Sequence, residues 1–149
     1  MKNLILFILT FTGFLAGAQE RKHNPADQIR SLNWDVIGTV KLELTEKNTL
    51  VPIFSEAIKR FDQREFQLQG YIIPIKSGQK QQRFMFSSLP VNQCFFCGQN
   101  GVPLMIMVEA STPISYSDKP VRILGILQLE SKDASFASPV KIKNAKLII

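Results

Sequence analysis

The chain of 149 residues is poor in the side chains that serve as acids, bases and metal ligands. It has one histidine, His23, and two cysteines. A single histidine excludes a three-histidine metal site. Because His23 lies in a polar stretch near the amino terminus, no Ser/His/Asp triad is predicted either. Two cysteines are too few for a miniprotein framed by disulfides. The sequence leaves enzymatic activity undecided and favours a protein that is not an enzyme.

The sequence also lacks a large excess of one sign of charge and has no low-complexity stretch. Hydrophobic residues make up 45% of the chain and charged residues 20%, with a formal net charge of +6. These values are close to those of ordinary globular domains, which excludes a disordered chain, a collagen and a coiled coil. The length suits one domain, which we assign to residues 32–149.

The amino terminus has the three parts of a secretory signal. In MKNLILFILTFTGFLAGA (residues 1–18), Lys2 precedes an apolar run that ends in Ala16-Gly17-Ala18. The run is shorter than the ~20 residues of a spanning helix, so an uncleaved anchor is the weaker alternative. We predict cleavage after Ala18, no membrane span in the mature protein, and export to the periplasm or the medium. Residues 19–31 are polar and are predicted to be a linker or a loosely docked arm.

Alternating apolar and polar residues predict a protein built of strands. One short helix is predicted over residues 54–61. The predicted strands cover residues 32–44, 64–75, 83–89, 104–110, 121–130 and 140–149.

This pattern predicts an all-β fold, a five- to six-stranded OB-like barrel with at most one short helix. A β-sandwich is the alternative. Gly70 and Gly125 lie within central strands and fit the sharp coiling of a small barrel. The core is predicted to contain or adjoin residues of the two most apolar strands, namely Tyr71, Ile73, Ile123 and Leu127.

The segment NQCFFCGQNGVP (residues 92–103) holds both cysteines, Cys94 and Cys97. Haem attachment requires a histidine where Gly98 stands. A thioredoxin-like redox pair requires a helix after the first thiol, and the residues that follow are poor helix formers. Two alternatives remain: two legs of a metal site, or a structural pair that forms a disulfide or packs as thiols. An oxidising compartment favours the structural pair, with Phe95 and Phe96 as apolar anchors.

No cofactor is predicted, and zinc or copper at Cys94 and Cys97 is the alternative. A structural zinc site draws four ligands mainly from Cys and His, and this chain supplies only two cysteines and the remote His23. Single-stranded nucleic acid is not a predicted ligand. Arg122, Lys141 and Lys143 form a candidate basic stripe, but aromatic residues are not interleaved with them as stacking platforms.

Three segments in order resemble a bacterial domain-of-unknown-function family, the one numbered 3299: GYIIPI (70–75), FMFSSLPVNQCFFCG (84–98) and PVRILGILQLE (120–130). The resemblance covers about residues 32–149. It implies a small exported, barrel-like protein of a Gram-negative bacterium, encoded in some cases near envelope transport systems. Many relatives have a histidine two residues after the first cysteine, where this chain has Phe96, so a metal role that depends on that histidine is not implied.

The sequence features and the resemblance together suggest two functions from different classes. The first is a non-enzymatic binding or accessory protein of the bacterial envelope, with an envelope protein complex, such as a transport system, as its partner. The second is a metal- or thiol-handling protein that acts through Cys94 and Cys97.

Overall fold

A computed structural model of the protein describes residues 25–90, 104–131 and 138–148. A 3-10 turn at Pro25–Asp27 comes first. The elements that follow are α1 (Leu32–Ile37), β1 (Lys41–Leu44), β2 (Leu50–Ile53), α2 (Glu56–Lys59), β3 (Glu65–Pro74), β4 (Lys80–Ser87), β5 (Met105–Ser115), β6 (Val121–Leu129) and β7 (Val140–Ile148).

Strands β3 to β7 form a closed barrel in the order β3-β4-β5-β7-β6, with β6 paired back to β3. All neighbours are antiparallel except β5 and β7, which are parallel. Counted within the barrel, the order is 1-2-3-5-4, a five-stranded Greek-key barrel of the OB type. The predicted all-β, OB-like fold is therefore confirmed, and the closed barrel excludes the sandwich.

Inward-facing apolar side chains fill the barrel. On β3, Phe66, Leu68 and Ile72 alternate with more exposed residues, the two-residue period of a strand with one buried face. Two predicted core residues, Ile123 and Leu127, are fully buried. The β3 alternation turns Tyr71 and Ile73 to the outer surface, where Tyr71 is buried and Ile73 is half-buried.

Gly70 and Gly125 lie where neighbouring strands approach closely. A Cβ atom on Gly70 would lie 2.6 Å from the carbonyl oxygen of Ser87. A Cβ atom on Gly125 would lie 2.7 Å from the carbonyl oxygen of Lys143, at an irregularity in the pairing of β6 with β7. Only a residue without a side chain fits these two positions without movement of the backbone.

The strand predicted over residues 32–44 is wrong in its first half, because Leu32–Ile37 forms helix α1 and the strand begins at Lys41. Ser31 caps this helix: it has an extended backbone, and its hydroxyl accepts a hydrogen bond from the backbone N–H of Trp34. The predicted helix near residues 54–61 is present in a shorter form as α2, capped in the same way by Ser55. The described chain thus has two short α-helices, one more than predicted.

Helix α1 packs beside the first half of β3, and α2 packs against α1. Trp34 and Ile37 of α1 and Ile58 of α2 belong to the same buried cluster as the barrel interior. The Trp34 ring stacks on Phe86, with centroids 6.3 Å apart. The helices therefore extend the core of the barrel.

Two other segments lie outside the barrel. Residues 25–31, the described end of the predicted linker, contact it through the Tyr71 hydroxyl, which donates to the carbonyl oxygen of Asp27 (3.0 Å), and the Ile29 N–H, which donates to Ser88. β1 and β2 form a separate antiparallel hairpin that exposes Leu42 and Leu44. Within the described ranges, no helix is long and apolar enough to cross a membrane.

Candidate functional site

An open groove of about 900 Å³ crosses the outer surface of β4, β5 and β7 and reaches the turn between β3 and β4. Its charged lining consists of four basic residues, Lys76, Lys80, Arg83 and Lys143, and one acidic residue, Glu109. The excess of positive charge makes the groove a surface that attracts anions.

The charges are placed by the strand register. Arg83 on β4 lies directly opposite Glu109 on β5, and the Arg83 Nε is 3.6 Å from a Glu109 carboxylate oxygen. On the other side of β5, the pairs Val108–Ile142 and Ala110–Ala145 place Glu109 beside Lys143. Glu109 therefore lies between two cations. Because the Arg83 side chain is 65% exposed, the ion pair orders the surface more than it stabilises the fold.

The turn at one end of the groove is held by a buried glutamine. Gln81 is 2% exposed, and its Nε2 donates to the carbonyl oxygens of Lys76 (3.0 Å) and Gly78 (2.7 Å). Gly78 has a positive φ of 127°, which permits the tight reversal. Gln81 thus positions the main chain that carries Lys76 and leads into Lys80.

The other end of the groove lies at an irregularity in β7. Asn144 has a φ of 52°, and the register of β7 shifts against both β5 and β6 at this point. The Ser111 hydroxyl donates to the carbonyl oxygen of Ala145 (3.3 Å) next to the irregularity. Bulges of this kind re-aim side chains on a strand, and here Lys143 and Asn144 both line the groove.

An apolar row adjoins the basic lining. Ile73, Met85 and Met107 are successive cross-strand partners on β3, β4 and β5, and all three are half-buried on the outer surface. Met107 also lines the groove. Methionine side chains are flexible and polarizable and adapt to the shape of a partner. We call these three residues the methionine row.

Aromatic side chains do not line the groove within the described part of the chain. Trp34, the one tryptophan, is buried and donates its indole N–H to the carbonyl oxygen of Gln69 (2.8 Å). The described lining of the groove therefore offers charged and aliphatic side chains and no aromatic platform for base stacking.

The structure separates the residues of the basic stripe predicted from the sequence. Lys143 lines the groove, whereas Lys141 is paired with Glu130 at 3.0 Å and Arg122 lies on β6 opposite Ile148, at the far end of β7. Cys94, Cys97 and His23 lie outside the described residues. Among the described residues, no group of three or more His, Cys, Asp or Glu is placed to hold a metal ion.

Sequence reasoning missed most of the groove. Three of its cations, Lys76, Lys80 and Arg83, stand in the run KSGQKQQR (residues 76–83), which joins the strands predicted over residues 64–75 and 83–89. The concentration of cations around that turn was the available signal. Glu109 carried no signal of its own, because its place between Arg83 and Lys143 depends on the register of three strands.

No protein-family model, no curated protein and no solved structure matches this chain.

Proposed function

We propose that the protein is a non-enzymatic exported binding or accessory protein of the bacterial envelope, and that the groove is its ligand surface. The observation that carries this proposal is the position of the groove. It lies across β4 and β5, which are the second and third strands of the barrel, and OB barrels bind their ligands on the face of those two strands.

Export is supported by residues 1–18. A cation, an apolar run and the small residues Ala16-Gly17-Ala18 have the order of a cleaved secretory signal. The resemblance of three ordered segments to the family numbered 3299 supports the same compartment, a Gram-negative envelope, with an envelope protein complex as partner.

Binding is a better account of the groove than catalysis. Its cations are aliphatic amines and one guanidinium, and its carboxylate, Glu109, lies against Arg83. Such a set attracts and orients an anionic ligand. Within the described lining, no nucleophile is paired with a base.

The proposal is tested by photo-crosslinking in the native cell. A photoreactive residue replaces Gln82, which lines the groove, and the matched control replaces Lys47, which is exposed in the turn between β1 and β2. We expect a discrete adduct from the envelope fraction at position 82 that is lost in K80Q/K143Q. Recovery of a species that retains Met1 in the membrane fraction would contradict cleavage after Ala18 and favour an uncleaved anchor. Equal yields of adduct at positions 82 and 47 would contradict the assignment of the groove as the ligand surface.

The alternative function depends on Cys94 and Cys97, whose spacing, with Gly98 after them, suits two legs of a zinc or copper site as well as a disulfide. Thiol titration and elemental analysis of protein from its own compartment separate the two. We expect a structural pair, and about 1–3 kcal/mol lower stability in C94S/C97S. Stoichiometric zinc or copper that is lost in C94S/C97S would make metal handling the function.

A further inference from the structure

We propose that the ligand of the groove is an acidic, aliphatic-rich segment of a partner protein that binds in an extended conformation. This inference rests on the proposed function, because it takes the groove as the ligand surface. It adds the chemistry of the partner: several carboxylates interspersed with aliphatic side chains.

The first argument is the spread of the charges. Lys76 and Lys80 lie at the turn, Arg83 lies on β4, and Lys143 lies on β7, two strands away. Since neighbouring strands are about 4.8 Å apart, the backbones of β4 and β7 are separated by roughly 10 Å. The four cations are thus spread over the turn and two strands, a wider area than one phosphate or carboxylate covers. A chain with several anionic groups along its length can cover that area.

The second argument is the methionine row. Ile73, Met85 and Met107 form a half-buried apolar strip next to the cations, and Met107 belongs to both surfaces. In an extended peptide, alternate side chains recur on one face about every 6.6 Å. Acidic side chains of such a segment reach the cations, while aliphatic ones cover the row. Methionine surfaces suit partners of varied shape.

The third argument disfavours other polyanions. Binding of single-stranded nucleic acid uses aromatic platforms, and the described lining of the groove has none. Glu109 lies in the middle of the groove, where it repels a ligand with continuous negative charge. A peptide tolerates this carboxylate, because a neutral or basic side chain can face it. A membrane surface is flat and presents its charge in a plane, whereas these cations line a concavity.

The test uses fluorescence anisotropy with purified protein that begins at Gln19. The probe is a labelled peptide of about twelve residues made of repeated Glu-Leu-Ser-Asp, which spans roughly 40 Å when extended. Competitors are the same peptide with Leu replaced by Ser, inorganic phosphate, an oligo-thymidine of similar length, and vesicles that contain phosphatidylglycerol.

Two sets of variants are compared at equal net charge. K76Q/K80Q/K143Q removes three groove cations, and K47Q/K119Q/R122Q removes three exposed cations elsewhere. We expect the groove set to weaken binding about tenfold, as for the loss of three solvent-exposed charge pairs, and the control set to change it less than about twofold. M85Q/M107Q should weaken the Leu-containing peptide and leave the Leu-free peptide unchanged, and L42Q on the hairpin should change neither.

Some outcomes overturn the inference. Equal loss of affinity in the two charge sets would show that only net charge matters. Vesicles or oligo-thymidine that compete more strongly than the peptide, with the same dependence on the groove cations, would identify a different ligand and leave the groove itself intact. If no probe binds but the photo-crosslinked adduct at position 82 still forms in cells, the proposal of an acidic peptide ligand is refuted and the proposed function is not.

Discussion

The indole N–H of Trp34 donates a hydrogen bond to the carbonyl oxygen of Gln69 over 2.8 Å. Gln69 lies in the half of β3 that pairs with β6 and not with β4, since β4 pairs only with Tyr71–Pro74. The Asn33 side chain donates to Gln67 two residues earlier. Helix α1 thus supplies donors to strand carbonyls that lack a β4 partner, and the Trp34 ring stacks on Phe86 of β4. Helix α1 therefore fills the gap between β4 and the first half of β3.

Trp34→Phe should therefore lower the free energy of unfolding by more than the loss of buried apolar surface alone would. The variant leaves the half-buried Gln69 carbonyl without its donor and opens a small void next to Phe86, and together these should lower the free energy of unfolding by about 2–4 kcal/mol. Urea denaturation measures the change. Leu32→Phe, at a position of the same helix that is 82% exposed, is the control and should be nearly neutral. Equal effects of the two substitutions would refute the gap-filling role of Trp34.

Gly125→Ala should destabilise the barrel by roughly 1–3 kcal/mol, the usual cost of overpacking. The new methyl group meets backbone atoms, the Lys143 oxygen at 2.7 Å and the Ala145 Cα at 3.0 Å, so the strands must separate. Gly38→Ala is the matched control, because Gly38 has a φ of −63° and its nearest contact is the mobile end of Leu104. Thermal denaturation of both variants measures the difference. A Gly125→Ala protein as stable as Gly38→Ala would contradict the close packing.

The barrel could be predicted from the sequence because its strands carry their own signal. Phe66, Leu68 and Ile72 repeat with period two on β3, and Gly70 and Gly125 lie within central strands, where the backbones approach closely. Helix α1 could not be predicted in the same way. It is only six residues long, Val36 and Ile37 favour strands, and its stability depends on Trp34 packing against β4. The cap at Ser31 was the one local signal, and it is weak without the tertiary contact.

The groove could not be predicted for a different reason. Lys80, Arg83, Glu109 and Lys143 are spread over more than sixty positions of the sequence, and only the pairing of β4 with β5 and of β5 with β7 brings them together. The shift at Asn144 then decides which β7 side chains face the groove. Register shifts depend on the whole barrel, and no spacing within one strand reveals them.

Ionisation of Tyr71 should lower the free energy of unfolding at alkaline pH. Burial, with a smaller contribution from the Asp27 carboxylate, raises the pKa of its hydroxyl above the ordinary value of 10.0. The folded state therefore favours the neutral phenol. Its contribution to stability is fully present below pH 10 and is lost as the pH rises through the higher pKa of the folded state. We expect wild type to be more stable than Tyr71→Phe at pH 7, because the hydroxyl donates to Asp27. This advantage should shrink above pH 10.

Urea denaturation of both proteins between pH 7 and about pH 11 measures the effect of Tyr71, since the other groups that titrate are common to the pair. Tyr116→Phe, at a tyrosine that is 40% exposed, is the control. An advantage of wild type over Tyr71→Phe that stays constant across this range would contradict the assignment.

Asn144 should tolerate glycine and reject a branched residue. Its φ of 52° lies in the left-handed region, which costs most residues about 1–2 kcal/mol and glycine almost nothing. We expect Asn144→Gly to keep wild-type stability and Asn144→Val to lose about 1–2 kcal/mol, as measured by thermal denaturation. Lys146→Val, at an exposed position of the same strand whose φ is not positive, is the control and should change stability little. Asn144→Val as stable as Asn144→Gly would show that the backbone relaxes at this position.

Gln81→Leu should loosen one end of the groove while the barrel stays folded. Leucine fills a similar volume but cannot donate to the carbonyl oxygens of Lys76 and Gly78. We expect a stability loss of about 1–2 kcal/mol, because two acceptors lose their buried donor. Amide hydrogen exchange should quicken in residues 76–80, with no change at β6, and the acidic peptide should bind more weakly because Lys76 and Lys80 are no longer held in place. Gln79→Leu, at an exposed position of the same turn, is the control and should leave exchange and peptide binding unchanged. Unaltered exchange at residues 76–80 in Gln81→Leu would show that the turn holds its shape without this side chain.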